Sequence, residues 1–180
     1  MNKNLILAAL ALTSTVGFAA GNSATDSTAV AKAKIRKAIT IARTADLDFA
    51  GIVISGVGTT DTAIVNAQTG VVTTTGAGGV IVGTFNASAS AKFNVGGTKS
   101  ATYAVTLPGA AVVLNGSNGG TLNATAFTFW SATAASGVNA ALSLAAGTDV
   151  LSVGATLTIP VATVDGDYTS AGFTVTVAYN

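Results

Sequence analysis

The chain has 180 residues, of which 49% are hydrophobic and only 8% are charged, and its formal net charge is +1. This composition is the reverse of that of disordered proteins, and so small a net charge argues against a strongly basic nucleic-acid binder. The sequence contains no Cys, His or Glu, which excludes a Ser–His–Asp triad, a thiol nucleophile and the common zinc sites. We therefore expect neither an enzyme nor a bound metal or cofactor.

Residues 1–19 are predicted to be an export signal. Lys3 gives a positive start, Leu5–Leu12 is an apolar run, and small residues precede the expected cleavage after Ala19. The eight apolar residues of that run would span about 12 Å as a helix, whereas a bilayer core is about 30 Å thick. A permanent membrane anchor is therefore the weaker alternative. Without residues 1–19, seven basic residues balance seven aspartates.

Residues 20–35 are predicted to be an extended arm. Ala29, Ala31, Ala33 and Ile35 fall on one face of a strand, and Lys32, Lys34 and Arg36 fall on the other. Such an arm can add a strand to an exposed sheet edge of a neighbouring copy and so build a head-to-tail polymer. The alternatives are an arm that folds back onto its own domain and a solvated basic leader. The predicted donor-strand residues are Ala29, Ala31, Ala33, Ile35, Ile39 and Ile41.

Residues 36–180 are predicted to form an all-β, immunoglobulin-like antiparallel sandwich. Apolar residues recur with a period of two between turn signals, and no stripe of helical spacing occurs. Thr62–Thr75 reads as a hairpin with Gly70 in its turn, and Asn115–Gly120 reads as a loop. The predicted strands lie at 36–43, 47–55, both arms of 62–75, 80–85, 91–95, 101–107, 125–130, 140–145, 151–159 and 173–179.

Two pairs of aspartates are the candidates for carboxylate chemistry. Asp46 and Asp48 are predicted to be solvated strand-edge residues, and Asp165 and Asp167 are predicted to flank a polar turn. An Asp-based hydrolase and a weak calcium site at the second pair are the alternatives.

Three neighbouring aromatic residues, Phe127, Phe129 and Trp130, form a candidate ligand face. They are interpreted as core residues or, with the Asn115–Gly120 loop, as a platform on which a sugar stacks. The second interpretation supports an alternative function, a cell-surface adhesin or carbohydrate-binding sandwich that acts as a monomer or at a filament tip.

The last strand alternates strictly and is predicted to complete a sheet. Its apolar positions are Phe173, Val175, Val177 and Tyr179. Short motifs in a fixed order precede it. They are Ile39-Thr-Ile41, Leu47-Asp-Phe49-Ala-Gly51, Phe93-Asn-Val95-Gly-Gly97, Tyr103-Ala-Val105-Thr-Leu107-Pro108, Val153-Gly-Ala-Thr-Leu157 and Gly166-Asp-Tyr168. As an ordered set, closed by Phe173 to Asn180, they resemble the exported bacterial family catalogued as domain of unknown function 4402.

The resemblance implies a pilin-like sandwich, a fimbrial subunit at the surface of a Gram-negative bacterium, assembled with a periplasmic chaperone and an outer-membrane usher. In chaperone–usher pilins the C-terminal strand borders the groove that a donor strand fills, a role that would fall here on Phe173, Val175, Val177 and Tyr179. The disulfide of many pilins is absent, and Gly166 and Gly172 are the candidates for the glycine that usually precedes the end. The predicted function is a structural subunit that polymerises through its N-terminal strand.

Overall fold

The structure is a computed structural model that describes residues 28–54, 60–76, 79–83, 86–133 and 141–180. The chain falls into two units, residues 1–34 and residues 35–180. In the first unit, residues 28–34 are exposed and have no regular secondary structure. The predicted export signal and residues 20–27 of the predicted arm lie outside the described residues.

All regular elements in the described ranges are β-strands, and all their pairings are antiparallel, as the period-two pattern predicts. In the same ranges there is no helix that is long and apolar enough to cross a membrane. The strands are β1 (Thr40–Ala45), β2 (Ile52–Ile54), β3 (Asp61–Val65), β4 (Val72–Thr75), β5 (Val80–Val82), β6 (Ala91–Gly96), β7 (Thr102–Thr106), β8 (Val112–Gly116), β9 (Thr121–Ser131), β10 (Ala141–Ser143), β11 (Thr148–Ile159), β12 (Tyr168–Ser170) and β13 (Thr176–Tyr179).

The long strand β11 is the centre of the larger sheet. One edge of β11 pairs with β9, and its other edge pairs first with β6 and then with β3. β1 extends the sheet beyond β6, β4 extends it beyond β3, and β8 and β12 extend it beyond β9. β11 is buried along most of its length, and its Val and Leu residues suit a strand that is covered on both faces.

Two smaller sheets, β10-β7-β13 and β2-β5, complete the antiparallel β-sandwich. Alternate residues of β3, β6 and β7 point into the core between the sheets. The largest fully buried side chains include Tyr103, Phe129, Leu144, Leu151 and Ile159.

The two ends of the domain are called the closed end and the groove end. The closed end is where Thr40, Gly96 and Thr148 lie side by side, and β13 reaches it at Tyr179. The groove end is where β11 finishes at Ile159. Because strands rise about 3.3 Å per residue, the length of β11 separates the two ends by about 35–40 Å.

A β-bulge changes which residues of β9 face the core. Thr125 pairs with Thr156 and Thr128 pairs with Gly154, so two residues of β9 lie opposite the single residue Ala155. Even-numbered residues of β9 are buried before the bulge and odd-numbered residues after it. Ala126, within the bulge, has a left-handed backbone with φ 48°.

The structure also corrects several predicted boundaries. The hairpin is confirmed, since β3 pairs with β4 and Gly70 adopts φ 72° in the turn between them. β8 runs through Asn115 to Gly116, so the predicted loop is shortened to a turn at 117–120. Neither β8 nor β12 was predicted as a strand. β1 begins at Thr40 rather than Arg36 and pairs with β6 from that residue onward.

Candidate functional site

The described residues form an open groove of about 1270 Å³ toward the groove end. One wall is the segment from Arg43 to Ile54, and the other is the segment from Val161 to Phe173. The groove therefore lies between an early part of the domain and the approach to the C-terminal strand.

Side chains of the hydrophobic core form the floor of the groove. Phe93, Leu122, Leu157 and Ile159 all line it, although each is at most 8% exposed. They come from β6, β9 and β11 of the larger sheet. The groove therefore reaches down to the core, where these side chains keep little exposed surface.

The first wall forms because the chain changes sheets along it. β1 pairs with β6 in the larger sheet, whereas β2 pairs with β5 in a separate two-stranded sheet. Between β1 and β2, the described residues of this wall form one isolated β-bridge, between Asp48 and Ala89. The Asp48 N–H donates to the Ala89 carbonyl at 2.8 Å, and the Ala89 N–H donates to the Asp48 carbonyl at 3.0 Å. A left-handed Ala50, with φ 67°, turns the chain, and its N–H donates to Asp48 Oδ1 at 2.8 Å.

The second wall is fixed by strand pairing at β12 but has no strand pairing with described residues just before β13. β12 pairs with β8, and the Tyr168 hydroxyl donates to the Val164 carbonyl at 2.7 Å. Residues 171–175 then make no ladder pairing with any described strand. Phe173 is anchored through its ring, which packs at 5.1 Å between centroids against Phe127. The backbone on this side of the groove therefore lacks strand partners among the described residues.

The rim of the groove is acidic. Four of its lining residues are aspartates, Asp46, Asp48, Asp165 and Asp167, and Arg43 is the one basic lining residue among those described. Arg43 pairs with Asp46 within the same wall. The described residues contain no group of three or more His, Cys, Asp or Glu placed to hold a metal ion. The groove combines an apolar floor with a negatively charged rim.

The closed end is tied together by one tyrosine. The Tyr179 hydroxyl accepts a hydrogen bond from the Thr98 N–H at 2.6 Å and donates to the Lys37 carbonyl at 2.9 Å. The Arg36 guanidinium lies 5.0 Å from the centre of the Tyr179 ring and donates to the Asn180 carbonyl at 3.4 Å. These contacts fix the point at which the N-terminal segment enters the domain.

The residues predicted to border a groove are divided by the structure. Phe173 lines the groove, whereas Val175 is buried and Val177 and Tyr179 are half-buried against the core. Among the described strands, β13 pairs with β7 alone and so lies at the edge of its sheet.

The predicted donor residues also fall into two groups. Ile39 and Ile41 pack against the core of their own domain, and Ile41 lies in β1 opposite Val95. They are therefore not available for donation while β1 is in place. Ile35, by contrast, is 92% exposed, and Ala29, Ala31 and Ala33 are exposed as well.

The structure corrects the candidate ligand face, because its three aromatic residues do not share an exposed face of β9. Phe127 and Phe129 are 5% and 1% exposed, so they belong to the core and cannot offer a stacking surface. Trp130 is half-buried on the opposite face of the strand. Ordinary strand alternation after the bulge therefore puts Trp130 on the opposite face from Phe127 and Phe129.

A buried polar cluster lies near the closed end. Asp149 Oδ2 accepts hydrogen bonds from the Tyr103 hydroxyl at 2.7 Å and from Ser131 Oγ at 2.5 Å, and its other oxygen accepts the Val150 N–H at 2.8 Å. Burial, followed by the hydrogen bond to Asp149 and its negative charge, raises the pKa of Tyr103 well above its ordinary value. Sequence analysis did not single out either residue, because nothing in the local pattern shows that they meet.

Comparisons with known proteins give one family. No curated protein and no solved structure matches the chain. A family model described as "Domain of unknown function (DUF4402)" matches residues 39–179, which include both walls of the groove, its floor and the C-terminal strand. Since the match spans well over half of the sequence, the chain belongs to the DUF4402 family.

Proposed function

We propose that the chain is an exported structural subunit of a surface fimbrium, which polymerises head to tail by donating its N-terminal arm to the groove of the next copy. The observation that carries the proposal is the groove itself. Its floor consists of core side chains, and a wall on either side has backbone that lacks regular ladder pairing among the described strands. An inserted strand would place side chains over the floor and form main-chain hydrogen bonds with the walls.

An inserted strand has partners on both sides. Residues 171–175 offer an open edge on one wall, and the crossing segment between β1 and β2 offers another. Main-chain hydrogen bonds to either wall give affinity, and alternate side chains then cover Phe93, Leu157 and their neighbours on the floor. Burial of apolar surface contributes about 25 cal/mol per Å². Because the floor side chains are at most 8% exposed, most of the apolar surface that insertion would bury belongs to the arm, chiefly to Ile35.

The arm has the right pattern and length for this role. Ala29 to Ile35 spans about 20–23 Å when extended, and the wall from Asp46 to Ile54 spans at most about 30 Å. The small alanines on one face suit a groove whose floor is already built from large side chains. Ile35, which is 92% exposed, is the large apolar residue on the same face as the alanines, and such insertion would cover it.

The positions of donor and acceptor favour an open chain of subunits. The arm joins the domain at the closed end, next to Arg36 and Lys37, whereas the groove lies toward the other end. A contact between two different surfaces is heterologous, so each added copy presents a new groove to the next. Export and a surface location belong to the same proposal and rest on the predicted signal.

The test places charge on the apolar face of the arm. Ala31→Lys combined with Ala33→Lys should abolish filaments, because two ammonium groups cannot be buried over the groove floor. The readouts are negative-stain electron microscopy of material sheared from expressing cells and a ladder on an unboiled gel. Lys32→Arg combined with Lys34→Arg is the matched control, and it should assemble like the unaltered chain.

Removal of residues 20–35 should have the same effect as the charged variant. Filaments that persist in both the deletion and the Ala31→Lys/Ala33→Lys chain would show that the arm is not the donor. A single monomer band from the unaltered chain would contradict polymerisation as a whole.

A further inference from the structure

We propose that Asp165 and Asp167 at the rim of the groove bind Lys32 and Lys34 of a second copy, and that these ion pairs fix the register in which the arm enters. The inference rests on the proposed function and names the charged residues through which donor and acceptor recognise each other. It follows from the uneven distribution of charge over a chain that is neutral after residue 19.

The negative charge of the groove is not neutralised within the described residues. Four aspartates line the groove against one arginine, and that arginine is already paired with Asp46. Asp48 uses Oδ1 to cap the Ala50 N–H. The other two aspartates that line the groove, Asp165 and Asp167, lie on the opposite wall.

Asp165 and Asp167 are held rigidly while their carboxylates stay available. The Asp165 carbonyl accepts from Asn118 Nδ2 at 3.0 Å. The Asp167 N–H donates to Ser117 Oγ at 3.0 Å, and the Asp167 carbonyl accepts the Ser117 N–H at 2.9 Å. All these bonds use the backbone of the two aspartates. Their exposed carboxylate groups make no hydrogen bond or ion pair with the rest of the described chain.

The arm carries the complementary pattern. Lys32 and Lys34 are exposed, and neither ammonium group has a partner among the residues described. Arg36, the next basic residue of the same parity, is occupied at the closed end by Tyr179 and Asn180. Two free cations two residues apart therefore match two free carboxylates two residues apart.

The alternation of the arm directs these cations toward the rim. When Ala31 and Ala33 face the floor of the groove, Lys32 and Lys34 face outward, because successive side chains of a strand point to opposite sides. A lysine side chain is long enough to lie along the strand and bring its ammonium group to a neighbouring wall. The ammonium groups of the outward-facing lysines can therefore reach the carboxylates on the rim.

The arm needs the charges because its apolar face does not define a register. Ala29, Ala31 and Ala33 are identical, so a slip of two residues would present nearly the same surface to the floor. Exposed ion pairs contribute only about 0.2–1 kcal/mol each, but they discriminate between registers and accelerate encounter. A two-residue slip leaves one lysine and one aspartate unpaired, which penalises the wrong register.

Charge exchange in the full-length chain tests the pairing. Lys32→Asp with Lys34→Asp gives an acidic arm, and Asp165→Lys with Asp167→Lys gives a basic groove. Each variant alone should lower the yield of the unboiled ladder by about tenfold, since like charges then meet at the rim. Coexpression of the two variants should restore the ladder to within about twofold, because every arm finds a groove of opposite charge. A single chain that carries all four substitutions should recover in the same way.

The outcomes separate this inference from the proposed function. Unchanged ladders in both single-site variants would overturn the ion pairs, while the Ala31→Lys/Ala33→Lys chain would still decide whether the arm is the donor. Loss without rescue would also overturn them and would show that the lysines act on another anion, such as a lipid phosphate. As a control for folding, each purified variant should unfold at a temperature close to that of the unaltered chain, because the exposed turn tolerates the exchange.

Discussion

The two ends of the sandwich differ in how completely the chain satisfies itself. At the closed end, Tyr179 joins the C-terminal strand to Thr98 and Lys37, and Asp149 is surrounded by hydrogen-bond donors. At the groove end, core residues line an open groove and the wall at 171–175 has no ladder partner among the described strands.

This difference predicts where the domain is most stable and where it opens most easily. Stability is not uniform across a structure, and segments with few backbone partners open most easily. A building block that is complete at one end and incomplete at the other has a built-in direction of assembly. The following predictions test whether the two ends really differ in this way.

The largest expected difference is between two leucines of β11. Leu151 is completely buried away from the groove, whereas Leu157 is 3% exposed and lines it. Leu151→Ala should lower the free energy of unfolding by about 4 kcal/mol, and Leu157→Ala by only about 2 kcal/mol, because the space it leaves opens into an existing groove. Urea denaturation of both variants measures this, with Ala31→Lys and Ala33→Lys added to keep the chain monomeric. Equal losses would mean that the floor is packed as tightly as the closed end.

The second prediction concerns alkaline pH and the closed end alone. Because the pKa of Tyr103 is raised in the folded state, the folded chain keeps this proton at a pH where the unfolded chain has lost it. The stabilising effect is therefore fully present below the ordinary tyrosine pKa of about 10 and declines above it, by up to about 1.4 kcal/mol per pH unit.

Unfolding measured between pH 9 and 11 should show this decline, and Tyr103→Phe should remove it. Tyr168→Phe, at the groove end, is the control and should leave the slope unchanged. A slope that survives Tyr103→Phe would mean that another group titrates there.

Much of the fold could be predicted from the sequence, because one-sided burial of a strand leaves a period-two record. The β3–β4 hairpin was predicted in full, since Gly70 marks its turn and β-branched residues fill both strands. The all-β antiparallel sandwich followed from the same pattern. β12 was missed because its three residues are too short to show any period.

The candidate site could be predicted only in part. Phe173 was named as a groove residue and lines one. The apolar floor was not foreseen, because it combines residues from β6, β9 and β11 that are distant in sequence. The sequence predicts a solvated strand-edge pair at Asp46 and Asp48 and a separate polar turn at Asp165 and Asp167, since only the fold brings Asp46 and Asp165 to opposite walls of one groove. The bulge in β9 likewise depends on its pairing with β11 and leaves no local signal.

The smallest difference is expected between the hydroxyl groups of Tyr179 and Tyr168. Both side chains are half-buried, but Tyr179 links segments 81 and 142 residues away, whereas Tyr168 bonds a carbonyl four residues away. Tyr179→Phe should cost about 1–2 kcal/mol, because it leaves the part-buried Thr98 N–H without its acceptor, and Tyr168→Phe should cost about 0.5 kcal/mol.

Thermal unfolding of the two phenylalanine variants gives the comparison, and hydrogen exchange of the Thr98 amide localises it. The Arg36 guanidinium can still stack on the phenylalanine ring, so the loss reports the hydroxyl contacts rather than the ring. Faster exchange at Thr98 in the Tyr179→Phe chain alone would show that this hydroxyl ties the C-terminal strand to the turn that follows β6. Equal costs with unchanged exchange would instead place the strength of the closed end in its strand ladders, and the arm would then be anchored by β1 alone.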